Sequence, residues 1–376
     1  LFFTRNVSLK LWVDSGLFER ERVIYERHLV NNNFKKIYWI TYGSKDRELA
    51  ALLKRNDRLH PDIHICQMPK AFNIPKLGSY LYSFFIPFYY KKILLKSSLL
   101  KTNQIDGSWS AVISKLLYKR PLIIRTGYTA SQLACNKDKI NIRCMKFKLI
   151  EKIAYKISDF SIVSSFHNYK YIMKKYHLEK KKIGVLYNYV DLKLFYFNKS
   201  IVRHENKILY VGRLNHEKNL FNLIEAIKET NFVLDLYGCG GLELKLKEFA
   251  EKKSVKVNFL GVVSNAELAK IYRQYQFYIL TSHHEGMPKS LLEAMSSGCF
   301  CIGTDVSGIN EIIRNGETGV LAKSTGVEDI VDAIHRAKNE QNKDAIIRNG
   351  VDFIHEMCDV NKIVEKEYRI MSKLIR

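Results

Sequence analysis

The chain has 376 residues, of which 47% are hydrophobic, 12% aromatic and 26% charged, with 6 Pro and 19 Gly; this excludes disordered, collagen-like and small disulfide-stapled proteins and fits a globular chain of two domains. Lys and Arg number 61 against 38 Asp and Glu, a net charge of +23. Up to Ser200 there are 37 basic and 14 acidic residues, and beyond it 24 of each, so the whole excess lies in the first half and predicts an anionic partner for that half alone.

In chain order, NVSLKLWVDSG (6–16), KKIYWITYG (35–43), RPLIIRTG (120–127) and SDFSIVSS (158–165) read as strands. Helices are expected at ERERVIYERHLV (19–30) and RCMKFKLIEKIAYKI (143–157). No apolar run approaches the roughly 18 residues of a membrane span. The nearest, Tyr80 to Tyr90, is interrupted by Pro87 and followed by Lys91 and Lys92. The pattern is lost over residues 187–207, where a domain join is expected. Beyond it, β-branched or aromatic runs at 207–212, 232–238, 255–261, 277–282, 300–305 and 319–323 alternate with amphipathic helical stretches. That alternation predicts βαβ units and a parallel, doubly wound sheet, with ligand loops at the carboxyl ends of the strands. The seven cysteines (Cys66, Cys135, Cys144, Cys239, Cys299, Cys301, Cys358) are scattered, with no C-x-x-C pair, and read as reduced thiols without a zinc site. The chain opens on Leu1 rather than Met, which leaves room for residues ahead of it.

The chemistry concentrates in HHEGMPKSLLEAMSSG, His283 to Gly298. Pro288 suits a helix start, which would turn the amides of Met287, Lys289 and Ser290 toward an anion. Glu285, next to Gly286, would sit in the loop above, able to accept hydrogen bonds from a polyol. Glu293 could chelate a vicinal diol such as ribose, although an exposed capping Glu and a helix-surface Glu explain the spacing equally well. In YVGRLNHEKN, Gly212 ends a strand, and Arg213 and Lys218 follow on the loop, a guanidinium and an ammonium suited to a diphosphate. YGCGG, with Gly238 and Gly240, is a glycine-rich turn without the G-x-G-x-x-G spacing of dehydrogenases.

Taken together, VGRLNHEKN, YGCGG, FLGVVS, HHEGMPKSLLEAMSSG and TDVSGINEIIRNGETGVL resemble, in order and spacing over about 205–340, the nucleotide-sugar domain of retaining glycosyltransferases of the GT-B fold, family four. The resemblance implies an α/β architecture of two doubly wound, Rossmann-like domains with a cleft between them. The expected divisions are an acceptor-binding domain (1–195), a nucleotide-sugar domain (196–355) and a C-terminal helical segment (356–376) packing back on the first domain. It implies catalytic roles for Arg213, Lys218 and Glu285: the two cations on the donor diphosphate, Glu285 on the transferred sugar. It implies donor contacts from Gly16, Gly212, Gly238, Gly261, Val262, Gly286, Met287, Pro288, Lys289, Ser290 and Glu293, the last on the nucleoside ribose.

The first half resembles bacterial surface-polysaccharide transferases more loosely, through KTNQIDGSW and PLIIRTGY. That likeness implies Gln104, Arg125 and Tyr128 on the acceptor side; His167, after a strand, is a further candidate. Thr126-Gly127 stands where many relatives have His-Gly. Asn188 to Asp191 resembles the interdomain hinge signature. The implied activity is transfer of a sugar, with retention and no metal or other cofactor, to a lipid-linked or saccharide acceptor in surface-polysaccharide synthesis. An epimerase, a phosphorylase or a non-catalytic binding subunit are the alternatives. Aromatic residues beside Lys91, Lys92, Lys96 and Lys101, with the charge split, predict a cytoplasmic protein bound peripherally to an anionic membrane. No nucleic-acid motif accompanies the charge.

Overall fold

The computed structural model describes residues 1–134 and 142–375. They form two units, Leu1–Leu186 with Val364–Arg376, and Tyr187–Ile363, against expected divisions at 195/196 and 355/356. Cys135 lies outside the described residues.

The first unit holds β1 (Ile37–Ile40), β2 (Ile63–Cys66), β3 (Leu100–Lys101), β4 (Leu122–Thr126), β5 (Phe160–Val163) and β6 (Ile183–Val185), with β1 parallel to β2 and the others in the order β3-β4-β5-β6. The opening residues join the two sheets. Phe2 bridges Ile40 on one side and Thr102 on the other, and its amide donates to Lys101 O at 2.8 Å.

Residues 6–16 correct an expectation, because they hold a short helix, Leu9–Asp14, and no strand. Ser8 Oγ caps it by accepting from Leu11 N at 3.0 Å. The buried Asp46 carboxylate accepts from the Leu9 and Lys10 amides at 2.9 and 3.3 Å. Leu9 and Trp12 are therefore buried at helical spacing. Lys101 is also corrected: it faces the interior and pairs with Glu367 at 2.7 Å, so it offers no charge to a membrane. A third correction concerns Cys144, which is disulfide-bonded and not a reduced thiol.

The second unit is built on β7 (His204–Val211), β8 (Val233–Tyr237), β9 (Val257–Phe259), β10 (Tyr275–Leu280), β11 (Phe300–Thr304) and β12 (Val320–Ala322). All pair in parallel, in the order β12-β11-β10-β7-β8-β9. The central strands are buried along their apolar runs, as a sheet covered on both faces requires. Winding runs outward from β7 to β9, then restarts at β10 on the other side of β7. The carboxyl ends of β7 and β10 thus flank a topological switch point, where the loops part. Residues 187–203 strap this unit: Val190 bridges Asp359, and Arg203 donates to the carbonyls of Tyr275, Ser297 and Gly298 at 2.7–3.0 Å. Among the described residues no helix is long and apolar enough to cross a membrane.

Candidate active site

Three glycines let the loops after β7, β8 and β9 close on one another. Gly238 adopts φ +138°, and a Cβ there would stand 1.9 Å from Gly212 O. Its amide donates to Gly261 O at 2.7 Å. Any larger residue at Gly238 would drive the β7 and β8 loops apart. Gly261 itself has φ +70°, and Val262 beside it is exposed.

Across the switch point, the β7 loop is tied to the β10 loop. Glu217 O accepts from His283 N at 2.9 Å, and Thr281 Oγ1 donates to Lys218 O at 3.3 Å. At the centre, the Lys218 ammonium donates to Glu285 Oε1, which also accepts from Ser282 Oγ at 2.7 Å. Both partners of the pair are largely buried, at 14% and 12% side-chain exposure, so solvent screens the pair less than a surface ion pair. Arg213 lies on the same β7 loop, exposed, its carbonyl held by the Tyr210 hydroxyl at 3.0 Å. Burial, with the Glu285 charge added, pushes the Tyr210 hydroxyl well above its ordinary value and keeps it a neutral donor.

The loop after β10 is braced in turn by the loop after β11. Glu285 N donates to Ser307 O at 3.2 Å, and Thr304 Oγ1 donates to Ser282 O at 2.8 Å. Gly308, φ +82°, lies so close that a Cβ would fall 2.6 Å from the carbonyls of both Glu285 and Gly286. The helix Lys289–Ser296 follows, with Pro288 as its N-cap. Leu291 N and Leu292 N bond back to Pro288 O, so the turn from Gly286 to Ser290 heads the helix, where its dipole favours an anion. Met287 is anchored inward: Asn188 Nδ2 donates to its carbonyl at 2.7 Å. The Ser290 hydroxyl accepts from Tyr278 at 2.8 Å, and the Lys289 ammonium lies 4.3 Å from the Tyr189 ring centroid. Glu293 is buried, not on the helix surface, and accepts from the Tyr272 hydroxyl at 3.4 Å.

In the first unit, the acceptor-side candidates come from the carboxyl ends of β3, β4 and β5. Gln104 Oε1 accepts from Gly127 N at 3.0 Å, and Ser164 Oγ donates to Gly127 O at 2.8 Å. Gln104 thus braces the loop that carries the exposed Tyr128. Arg125 is buried on β4, while His167 is exposed on the first turn of the helix Phe166–Tyr176. Gly16, φ +69°, sits between two helices instead of after a strand. Sequence reasoning missed Ser282, Ser307, Gly308 and Tyr272; the Ser-Gly step after the run at 300–305 was a usable signal for two of them.

Residues 193–351 match the family described as Glycosyl transferases group 1. The chain carries a group 1 glycosyltransferase domain in a GT-B fold. That match spans every second-unit candidate of this glycosyltransferase domain and none from the first unit. The chain is 31% identical over 179 residues to an uncharacterized glycosyltransferase, MJ1178, of Methanocaldococcus jannaschii, covering 46% of this chain and 49% of that one. It is 24% identical over 299 residues to an Escherichia coli UDP-Gal:alpha-D-GlcNAc-diphosphoundecaprenol alpha-1,3-galactosyltransferase, covering 73% and 77%. Against the crystal structure of Anabaena HepE in complex with UDP and glucose, the TM-score is 0.76 at 15% identity, with 99% of each chain covered. The chain spans about half the length, or less, of the curated relatives it matches at 30–32% identity.

Proposed function

We propose that the protein transfers a sugar from a nucleotide-diphosphate donor to a lipid-linked or saccharide acceptor, with retention of configuration, in the synthesis of a surface polysaccharide. One observation carries the reading: Lys218 and Glu285 pair across the loops after β7 and β10 at one switch point, and Arg213 and the head of the helix Lys289–Ser296 lie on those same two loops. Two cations beside a helix N-terminus suit a diphosphate, and the charge that grows on it as the sugar leaves is stabilised there. Those cations stand in for a metal, so the scheme needs none.

In this reading the bond from the anomeric carbon to the phosphate oxygen breaks, and its electron pair stays on the diphosphate. The acceptor hydroxyl bonds to the anomeric carbon and passes its proton to the leaving phosphate oxygen. Glu285, already fixed by Lys218 and Ser282, orients the transferred sugar and is no nucleophile. Glu293, with Tyr272 behind it, holds the ribose. The acceptor is assigned to the strand-end residues of the first unit, Gln104, Tyr128 and His167, with Arg125 behind them. Donors that the relatives' names record, UDP-galactose in the Escherichia coli enzyme and UDP in HepE, make uridine sugars the first to test. The protein is assigned to the inner face of a membrane, through the basic first unit.

A thermal-shift panel of UDP-, GDP-, ADP- and CMP-sugars, with and without magnesium, tests the donor half. A metal-independent shift with one nucleotide, lost in Lys218→Ala, is the expected result. No shift with any of them in a folded sample would move the protein to the non-catalytic class.

A further inference from the structure

The helix Ile142–Ile157 carries Lys148, Lys152 and Lys156 at i, i+4 and i+8, along one side of a groove of about 530 Å³ in the first unit. Like charges at that spacing oppose helix formation. Among the described residues no hydrogen bond or ion pair engages these three lysines. The neighbouring Lys175 is different, because it donates to Ser131 Oγ and Tyr171 Oη at 2.7 Å and lies 3.9 Å from the buried Glu151 carboxylate. The groove therefore has one neutralised cation at its wall and three uncompensated ones along its rim.

Apolar side chains lie beside these cations. Met145 and Leu149 line the same groove and are 62% and 58% exposed. The Lys146 ammonium donates to Tyr80 Oη at 2.8 Å, which ties this helix to Gly78–Tyr89. That helix exposes Phe84, Phe85 and Phe88. Cations interleaved with exposed aromatic and aliphatic groups fit a headgroup boundary, where phosphates meet acyl chains. A nucleic-acid backbone offers no partner for Met145 or Leu149.

We propose that this groove binds the phosphates of anionic phospholipid and seats the face formed with the helix Gly78–Tyr89 on a bilayer. The proposal deepens the membrane part of the reading above. Its test reads lipid binding alone, whereas the nucleotide thermal shift reads the second unit, so either can fail without the other.

The test is co-sedimentation of the full chain with phosphatidylcholine vesicles, with and without phosphatidylglycerol. Wild type should bind only the anionic vesicles. The triple variant Lys148→Gln, Lys152→Gln, Lys156→Gln should bind roughly a hundredfold more weakly, a factor of about five per cation. Met145→Ser with Leu149→Ser should also weaken binding, which a purely ionic contact would not. A cooperative thermal transition near the wild-type Tm, without added nucleotide, shows that both variants are folded. Equal vesicle binding by wild type and the triple variant overturns the proposal. So does calorimetric binding of inorganic phosphate or of a single-stranded RNA at this groove in a protein that ignores the vesicles.

Discussion

The Lys218 ammonium and the Glu285 carboxylate meet across 67 residues of sequence, one on the loop after β7 and the other on the loop after β10. Each holds the other in a fixed place where solvent is scarce. An arriving diphosphate competes for the ammonium while Glu285 keeps its second bond, from Ser282. Lys218→Ala should therefore lower kcat by about 10²- to 10³-fold, the usual cost of losing one charge-stabilising group. Steady-state transfer of labelled sugar measures it, and turnover equal to wild type would remove Lys218 from the mechanism.

Glu293 makes a separate prediction, because it is buried below the helix head and touches Tyr272. If it holds the ribose, Glu293→Gln weakens donor binding by roughly tenfold or more, as expected for a hydrogen bond to a charged group. The turnover of bound donor should change little. Calorimetric titration with the donor identified by the panel gives the Kd directly, and an unchanged Kd assigns Glu293 to packing alone.

The second unit was legible because its strands are apolar runs, several of them closed by Gly or a small polar residue, and the runs at 207–212 and 277–282 became β7 and β10. The Lys218–Glu285 contact was not legible, since nothing local shows that β7 and β10 are neighbours. The first unit was harder for the same reason. Residues 6–16 alternate like a strand, yet Ser8 and the distant Asp46 cap them as a helix. Strand pairing passes instead to Phe2, through contacts with Ile40 and Thr102. Lys101 looked like one more surface lysine because its partner, Glu367, is 266 residues away.

Gly308 and Gly316 share almost the same φ, +82° and +81°, but differ in their surroundings. A Cβ at Gly316 meets nothing within 4 Å, whereas one at Gly308 meets two carbonyls of the Glu285 loop at 2.6 Å. Gly316→Ala should cost only the conformational penalty, about 1–2 kcal/mol. Gly308→Ala should lower Tm further and also shrink the donor-induced shift, because it displaces the loop that carries Glu285. Equal Tm losses with intact donor shifts would show that the β11 loop does not position that loop.

Glu367 is buried in the first unit between His28 Nε2 at 2.9 Å and Lys101 Nζ at 2.7 Å. Burial by itself would raise its carboxyl, but the Lys101 charge and the bond and charge of His28 outweigh it and hold the group well below the usual carboxylate range. A carboxyl depressed in the folded state stabilises the fold fully above its unfolded pKa of about 4.3, and that stability is lost as pH falls toward the folded value. Glu367→Gln leaves the Lys101 charge uncompensated and should cost about 3–5 kcal/mol at pH 7. Urea denaturation of both proteins between neutral and acid pH should show this gap narrowing below about pH 4.3. A gap that stays constant to the acid limit, or widens there, would mean that the ionised Glu367 does not hold β3 and the helix Val360–Leu374 together.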